Sequence, residues 1–297
     1  MPQDNSHPVR SRVACVTCLE YAQLYEEDRP LLDALARRGI DAEPAVWDDP
    51  HIRWADFDLV LVRSPWDCHS RSAEFLHWYT TVSEMTEIHN SLAVVRGNQH
   101  KGYLRTLEQQ GAPVIPTAVV EKPSDAPAVA AAQGWGEAVL KPATAMGGDG
   151  VYLLSEADTE ALEATFTGDW IVQPFLPRIR EEGELSLIYI NGKASHAVRK
   201  RPAAGEIRVH ESRGGSHTPH PLNQELLEVG EAVIDAAAVR GELVARVDLI
   251  RGRDGRLLLC ELELTSPRVF FCHFPSAVDT LADAVQERLL RRASAGK

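Results

Sequence analysis

Two rhythms of apolar and polar positions take turns along the chain, one with a period of two and one with a period near 3.6. Apolar runs at 13–17, 40–47 and 58–63 predict strands, and the stretches 29–38 (closed by Gly39) and 71–85 carry the helical pattern. This βαβ alternation through about residue 92 implies a small parallel sheet, with ligand-facing loops at the carboxyl ends of its strands. A second segment opens with a helix over 99–110, with Lys101 in its first turn, ended by Gly111 and Pro113. A strand at 114–120, a helix from near Ser124 and a strand at 138–141 follow. A glycine-rich turn at 146–150 then leads to a strand (151–154), a helix (157–166) and a strand (170–175). The third segment pairs 184–190 with 193–201 through Asn191-Gly192, the strongest short hairpin signal available. A helix over 224–240, two further strands and a closing helix over 277–292 complete the pattern.

Those last two strands carry an anomaly. Asp248 interrupts the apolar run 244–250, and Glu261 and Glu263 interrupt the run 257–264, with a turn at Arg253-Asp254-Gly255 between. Paired antiparallel, the strands bring Asp248 near both glutamates, and residues two apart share a face. Three carboxylates on one face repel and lose solvation unless cations hold them together. Hard oxygen ligands in that arrangement suit Mg²⁺, commonly with nucleotide phosphates completing the shell. Lys141, at the end of an apolar strand five residues before the glycines, is placed to meet phosphate. The phosphate-loop, dinucleotide and serine-hydrolase signatures are all missing, so a nucleotide is held in another way.

Composition narrows the classes. A chain of 297 residues exceeds the size that one core usually serves, so two or three subdomains are expected. The net charge of −12 argues against a nucleic acid or an acidic membrane held by bulk charge. No apolar run approaches the roughly 18 residues of a membrane helix, and the polar start lacks a signal-peptide core, so a cytoplasmic location is expected. Five cysteines do not make a disulfide framework. Cys15 and Cys18 form a C-x-x-C, but an odd spacing on a strand sends the sulfurs to opposite faces, and no second pair completes a zinc site. His217 and His220 lack a third ligand and read as a solvated loop, and 177–183 reads as an exposed connector. Arg199-Lys200-Arg201 fits a phosphate pocket better than nucleic acid.

Taken in order, these features resemble the ATP-grasp superfamily, and more closely its bacterial glutathione-synthetase-like branch. The carriers are Lys101, Val139-Leu140-Lys141-Pro142 before Gly147-Gly148-Asp149-Gly150, Val172-Gln173-Pro174-Phe175-Leu176, Gly183-Glu184, Asp248 and Glu261-x-Glu263. Lys200-Arg201-Pro202, Glu206-Ile207-Arg208 and Gly214-Gly215 are similar to that branch's basic phosphate-and-substrate loop. The match runs from about residue 98 to 267. It implies an α/β chain with α+β subdomains, an ATP-grasp fold behind a Rossmann-like pre-ATP-grasp domain. The expected divisions are 1–97, a lid subdomain at 98–178, and a metal and phosphate subdomain at 179–297.

The same resemblance implies roles. Lys101 and Lys141 would contact the ATP phosphates, with Gly147, Gly148, Asp149 and Gly150 folding over them as a lid. Gln173, Pro174, Phe175 and Leu176 would form the linker that reads adenine, and Glu184 would hold ribose. Asp248, Glu261 and Glu263 would ligate two Mg²⁺, with Mn²⁺ the alternative. Lys200 and Arg208 are the catalytic candidates, Arg208 stabilising a pentacoordinate phosphorus and an acyl phosphate. Two departures stand out: Glu263 replaces the usual asparagine, and Lys200 replaces a common arginine, a point charge for a planar fork.

The implied reaction is an ATP-dependent carboxylate–amine ligation through an acyl phosphate on a small amino-acid-like substrate. In the first domain, Arg63 is the candidate for a substrate carboxylate, and Glu20, Asp48 or Asp49 for an ammonium group. Equally, Asp48-Asp49-Pro50 is a plain turn and Arg63 pairs with Asp67. The overall length, the loops Trp47-Asp48-Asp49-Pro50 and Arg63-Ser64-Pro65-Trp66-Asp67, and Glu261-Leu262-Glu263-Leu264 resemble small stand-alone members that close O-ureido-D-serine into an isoxazolidinone, an antibiotic. An intermolecular dipeptide-type ligase and a non-catalytic nucleotide-binding module are the alternatives. Homodimers are common in the branch and are one expectation here.

Overall fold

The structure, a computed structural model, describes residues 10–144 and 150–295. The lid candidates Gly147, Gly148 and Asp149 lie outside the described residues. Two compact units divide the chain, residues 1–92 with 265–297 and residues 93–264. The closing helix therefore belongs with the first unit, whereas the sequence grouped it with 179–297.

The first unit is built on a four-stranded parallel sheet. Its strands are β1 (Arg12–Thr17), β2 (Asp41–Val46), β3 (Leu59–Ser64) and β4 (Glu87–His89), in spatial order β2-β1-β3-β4. β1 and β3 are buried along almost their whole length, as the continuous apolar runs require. Helices Pro30–Arg37 and Ser72–Met85 provide two of the crossovers, and Ser276–Ala295 packs on the first of them. Arg38 ties that packing by ion pairs to Asp279 (3.0 Å) and Asp283 (2.7 Å). At the carboxyl edge Thr17 and Ser64 bond through their hydroxyls at 3.0 Å. Arg63, only 1 % exposed, donates to Asp28 from Nε (3.1 Å) and Nη2 (2.8 Å). Cys15 and Cys18 are both free and buried.

In the second unit there are two sheets. The smaller comprises β5 (Ala118–Val120), β6 (Ala138–Pro142), β7 (Tyr152–Leu153) and β8 (Trp170–Pro174), in order β5-β8-β6-β7, over a core around Leu140, Trp170 and Val172. The larger comprises β9 (Glu184–Ile190), β10 (Lys193–Arg201), β11 (Ser216–His220), β12 (Val244–Arg251) and β13 (Leu257–Glu263), in order β11-β10-β9-β12-β13. All its neighbours are antiparallel, and helix Gln224–Ala236 covers its leucine-rich face. The hairpin between β9 and β10 turns at Asn191 (φ 49°) and Gly192 (φ 72°), the left-handed pair that the Asn-Gly dipeptide predicts.

Four local expectations are corrected. The helix expected over 99–110 begins only at Tyr103 and runs to Gln109, a separate helix Leu92–Asn98 precedes it, and Lys101 lies in the turn between them. Gly97 and Gly102 weaken a continuous helix, and the Lys101 N–H bonds the Ala143 carbonyl at 2.8 Å instead of a helical one. The strand expected at 114–120 survives only as Ala118–Val120, because Val114 bridges to Leu259 on β13, with hydrogen bonds linking Leu259 to Pro113 and Ile115. His217 and His220 lie on the edge strand β11 rather than in a loop, and the connector at 177–183 forms a short helix, Arg178–Glu181, that buries Ile179.

Candidate active site

The larger sheet sorts its residues by parity. Leu185, Leu187 and Tyr189 of β9, Ala197 of β10, and Ala245, Val247 and Leu249 of β12 enter the core. The residues between them face the other way: Glu184 and Ser186, Lys200, and Arg246 and Asp248. On β13 the rule breaks midway. Leu257 and Leu259 belong to the core, but so do Leu262 and Leu264. A bulge makes the switch, since Leu249 pairs with Leu259 and Asp248 with Glu261, leaving Cys260 as the extra residue. Without it, Glu261 and Glu263 would enter the leucine core, costing several kcal/mol for each charge. With it, both join the face of Asp248.

Long-range hydrogen bonds hold this kinked strand. Before the bulge, Leu259 exchanges bonds with Pro113 and Ile115 (2.7 and 3.0 Å). After it, the Tyr103 hydroxyl and Asn98 side chain bond the Leu262 backbone, and Asn98 also accepts from Leu264. The turn that carries Lys101 is thereby pinned to β13, and Lys101 Nζ lies 3.0 Å from Glu261 Oε1. Gly183 is required where β9 begins. At φ 80° its Cβ position lies 2.0 Å from the Lys200 carbonyl oxygen, so a side chain would push apart the strands that carry Glu184 and Lys200.

Register sets Asp248 opposite Glu261, and Arg246 opposite Glu263. Arg246 donates to Asp248 from Nε (3.0 Å) and Nη2 (2.9 Å), and Nη2 also bonds Glu263. Lys200 pairs with Glu184 and stands 3.3 Å from Asp248, whose other oxygen accepts from Ser186. Asp248 is 2 % exposed. Burial alone would raise its carboxyl pKa, but Arg246 and Lys200 outweigh burial and hold it well below the usual carboxylate range. Burial pushes Glu263 up to about 7 against the pull of Arg246. Glu261 falls below its ordinary value because Lys101 and Lys141 overcome its desolvation.

The expected repulsion among the carboxylates is thus relieved within the protein, chiefly by Arg246, which sequence reasoning missed. Its signal was present: a charge in an apolar strand two residues before Asp248, hence on the same face. The donors available there are carboxylate oxygens, a chemistry that fits Mg²⁺ and not a soft metal. Bound phosphates would accept the lysines that the carboxylates hold in their absence.

A cleft open to solvent lies beside part of this group. Lys101, Lys141, Gln173–Leu176, Glu184, Arg208 and Glu261 line it together, while Lys200, Asp248 and Glu263 are not among its lining residues. Arg208 forms a fork with Glu206 (Nε to Oε1 2.9 Å), which holds the Glu206 pKa down at about 2. Gly150 takes φ 76°, and a Cβ there would meet Pro142 at 2.8 Å. The first-domain candidates are engaged separately. Asp48 pairs with Arg71, Asp49 caps the His51 N–H (2.9 Å), Glu20 is exposed, and Arg63 bonds Asp28 rather than Asp67.

Parallel βαβ unit, bulged carboxylate strand and lysine-lined cavity define a class, and the comparisons agree on it. The chain belongs to the ATP-grasp ligase family: residues 106–271 match the ATP-grasp domain of prokaryotic glutathione synthetase. Residues 13–90 match the N-terminal domain of the D-cycloserine synthetase DcsG. In sequence the chain is 31 % identical to the cycloserine biosynthesis protein DcsG of Streptomyces lavendulae, over 88 % of this chain and 93 % of that protein. A crystal structure of D-cycloserine synthetase DcsG superposes with a TM-score of 0.83 at 29 % identity, covering 94 % of this chain and all of that one. Glutathione synthetase of Bradyrhizobium diazoefficiens is 28 % identical over 71 % of this chain and 66 % of its own. ATP and Mg²⁺ are the family's general requirements. No helix among the described residues is long and apolar enough to cross a membrane.

Proposed function

We propose that this ligase closes O-ureido-D-serine into D-cycloserine, in antibiotic biosynthesis, through an acyl phosphate. The observation that carries the proposal is that the likeness to cycloserine proteins includes the first domain (residues 13–90) as well as the ATP-grasp region. ATP-handling residues are shared across ligases of many acceptors, so the substrate has to be read from the rest of the chain.

In this reading Lys101 and Lys141 hold the phosphates, and Gln173 to Leu176 with Glu184 hold the nucleoside. Asp248, Glu261 and Glu263 would hold two Mg²⁺, which supply charge neutralisation for the transferring phosphoryl group. Mn²⁺ would serve in its place. The substrate carboxylate attacks the γ-phosphorus, the bond to ADP breaks, the nitrogen bonded to oxygen then displaces phosphate from the acyl carbon, and water removes its carbamoyl group as carbon dioxide and ammonia. Lys200 and Arg208 stabilise the charge that gathers on the transferring oxygens. Arg63 with Asp28 shapes the first domain's contribution to substrate binding, together with Glu20, Asp48 and Asp49, and the working species is a homodimer. Arg208→Ala should lower kcat by about 10²-fold or more, the usual loss for one such donor, with little change in nucleotide affinity. Steady-state kinetics beside nucleotide binding checks this, and an unchanged kcat removes Arg208 from that role.

The deciding experiment incubates the protein with ATP, Mg²⁺ and O-ureido-D-serine alone. ADP release with formation of the cyclic product supports the proposal. A requirement for a second amine would reassign the chain to intermolecular ligation.

A further inference from the structure

The loop between β10 and β11 carries Arg208, and its backbone is tied down on both sides of that residue. Val209 is buried and Ile207 packs beside it, in an apolar cluster with Phe175, Leu176 and Ile250. The Gly215 N–H bonds the His210 carbonyl at 3.1 Å, and a Cβ on Gly215 would lie 2.4 Å from the Val209 carbonyl oxygen. The backbone under Arg208 therefore has little room to shift.

Its side chain is fixed as closely. Glu206 Oε1 accepts from the N–H groups of Ile207 (2.8 Å) and Arg208 (3.2 Å), so the carboxylate caps its own turn. The same oxygen accepts from Arg208 Nε at 2.9 Å, and Oε2 accepts from Nη2 at 2.5 Å. An ion pair between two loose surface side chains would hold neither in place and contribute little. Here one partner is anchored to the backbone, and the side chains of Arg208 and Glu206 are only 24 % and 21 % exposed. Arg208 lines the cleft with Lys101, Lys141 and Glu261, whereas Glu206 is not among its lining residues. The carboxylate thus holds the guanidinium from outside the cleft. A guanidinium carries five N–H donors in one plane, so a fork to Glu206 is compatible with contacts to phosphate oxygens.

We infer that Glu206 is a positioning residue for the phosphoryl transfer, setting the Arg208 guanidinium in place before the phosphates arrive. The inference rests on the role given above to Arg208. A free arginine side chain samples many rotamers, and a donor that must be ordered during the reaction loses part of its effect. A donor fixed beforehand keeps that effect, since a misplacement of about an ångström can cost about 10²-fold. The opposite arrangement, with Glu206 withholding Arg208 from the substrate, would give a faster enzyme once the carboxylate is removed.

The test reads the two residues separately and together, by ADP release with O-ureido-D-serine. Glu206→Gln should lower kcat by about tenfold and leave the KM for ATP little changed. Arg208→Ala loses more, and adding Glu206→Gln to it should cost nothing further, because the carboxylate acts only through the guanidinium. Guanidinium ion at millimolar levels should restore part of the turnover of Arg208→Ala and none of that of the double variant. Additive losses, equal rescue of both variants, or a Glu206→Gln kcat at or above wild type overturns the inference. A wild-type kcat in Arg208→Ala removes the role it rests on and the inference with it. A slowed Arg208→Ala beside a normal Glu206→Gln removes the positioning alone. Should wild type form no product from O-ureido-D-serine, the substrate proposal fails by itself, and arginine nitrogen-15 spectra decide for Glu206. A slowly exchanging Arg208 Nε–H signal in wild type that is lost in Glu206→Gln supports the role, and the same signal in both overturns it.

Discussion

Asp248→Asn is expected to lower ligase turnover by about 10³-fold or more and to leave the chain folded. The carboxylate lies at the centre of the face that Glu261, Glu263, Lys200 and Arg246 share. In the proposed role Asp248 holds the cations that neutralise the transferring phosphoryl group, so its loss forfeits several kcal/mol, and each 1.4 kcal/mol or so is tenfold in rate. Folding survives because neither neighbour is stranded: Lys200 keeps Glu184 and Arg246 keeps Glu263. ADP release at saturating substrate, set beside a thermal melt, measures both halves. Turnover within tenfold of wild type would end the metal-ligand assignment of Asp248.

The reverse pattern is expected of Arg246→Met, a loss chiefly of stability. Its guanidinium is the charge that lets Asp248 and Glu263 be buried close together. Removing one partner of a buried ionic group costs about 3–5 kcal/mol, since the stranded charges remain in low dielectric. For a chain of this size that lowers the melting midpoint by roughly 10 °C in the presence of a chelator. Mg²⁺ with nucleotide should recover part of the loss, because the ligand binds the native state alone and supplies the missing positive charge. Arg246→Lys should recover less than its charge suggests, since an ammonium lacks the fork that spans two carboxylates. A midpoint within about 2 °C of wild type in chelator would show that Lys200 alone neutralises the group.

Both predictions concern residues whose placement mixes what the sequence makes legible with what it hides. Asp248, Glu261 and Glu263 stood out as charges in apolar runs, and the period-two rule put them on a face. Applied without interruption, that rule also counts Leu257, Leu259, Glu261 and Glu263 as one row. The structure resolves the conflict at Cys260, where one unpaired residue turns the leucines inward and the glutamates outward. Lys101 is a parallel case. A lysine among helix-forming neighbours reads as part of a helix, yet its backbone answers to Ala143 and its flanking residues to β13.

Strand and helix rhythm, the Asn191-Gly192 hairpin, the order of the lysines and carboxylates, and hence the family, were written in local pattern. Such features follow from interactions a few residues apart, which neighbouring letters record directly. The bulge, the capture of Lys101 by Glu261 and the Arg246 fork depend on groups distant in sequence. Their positions are set by which backbone edges and buried charges find partners once the sheets close, and no run of adjacent residues encodes that competition.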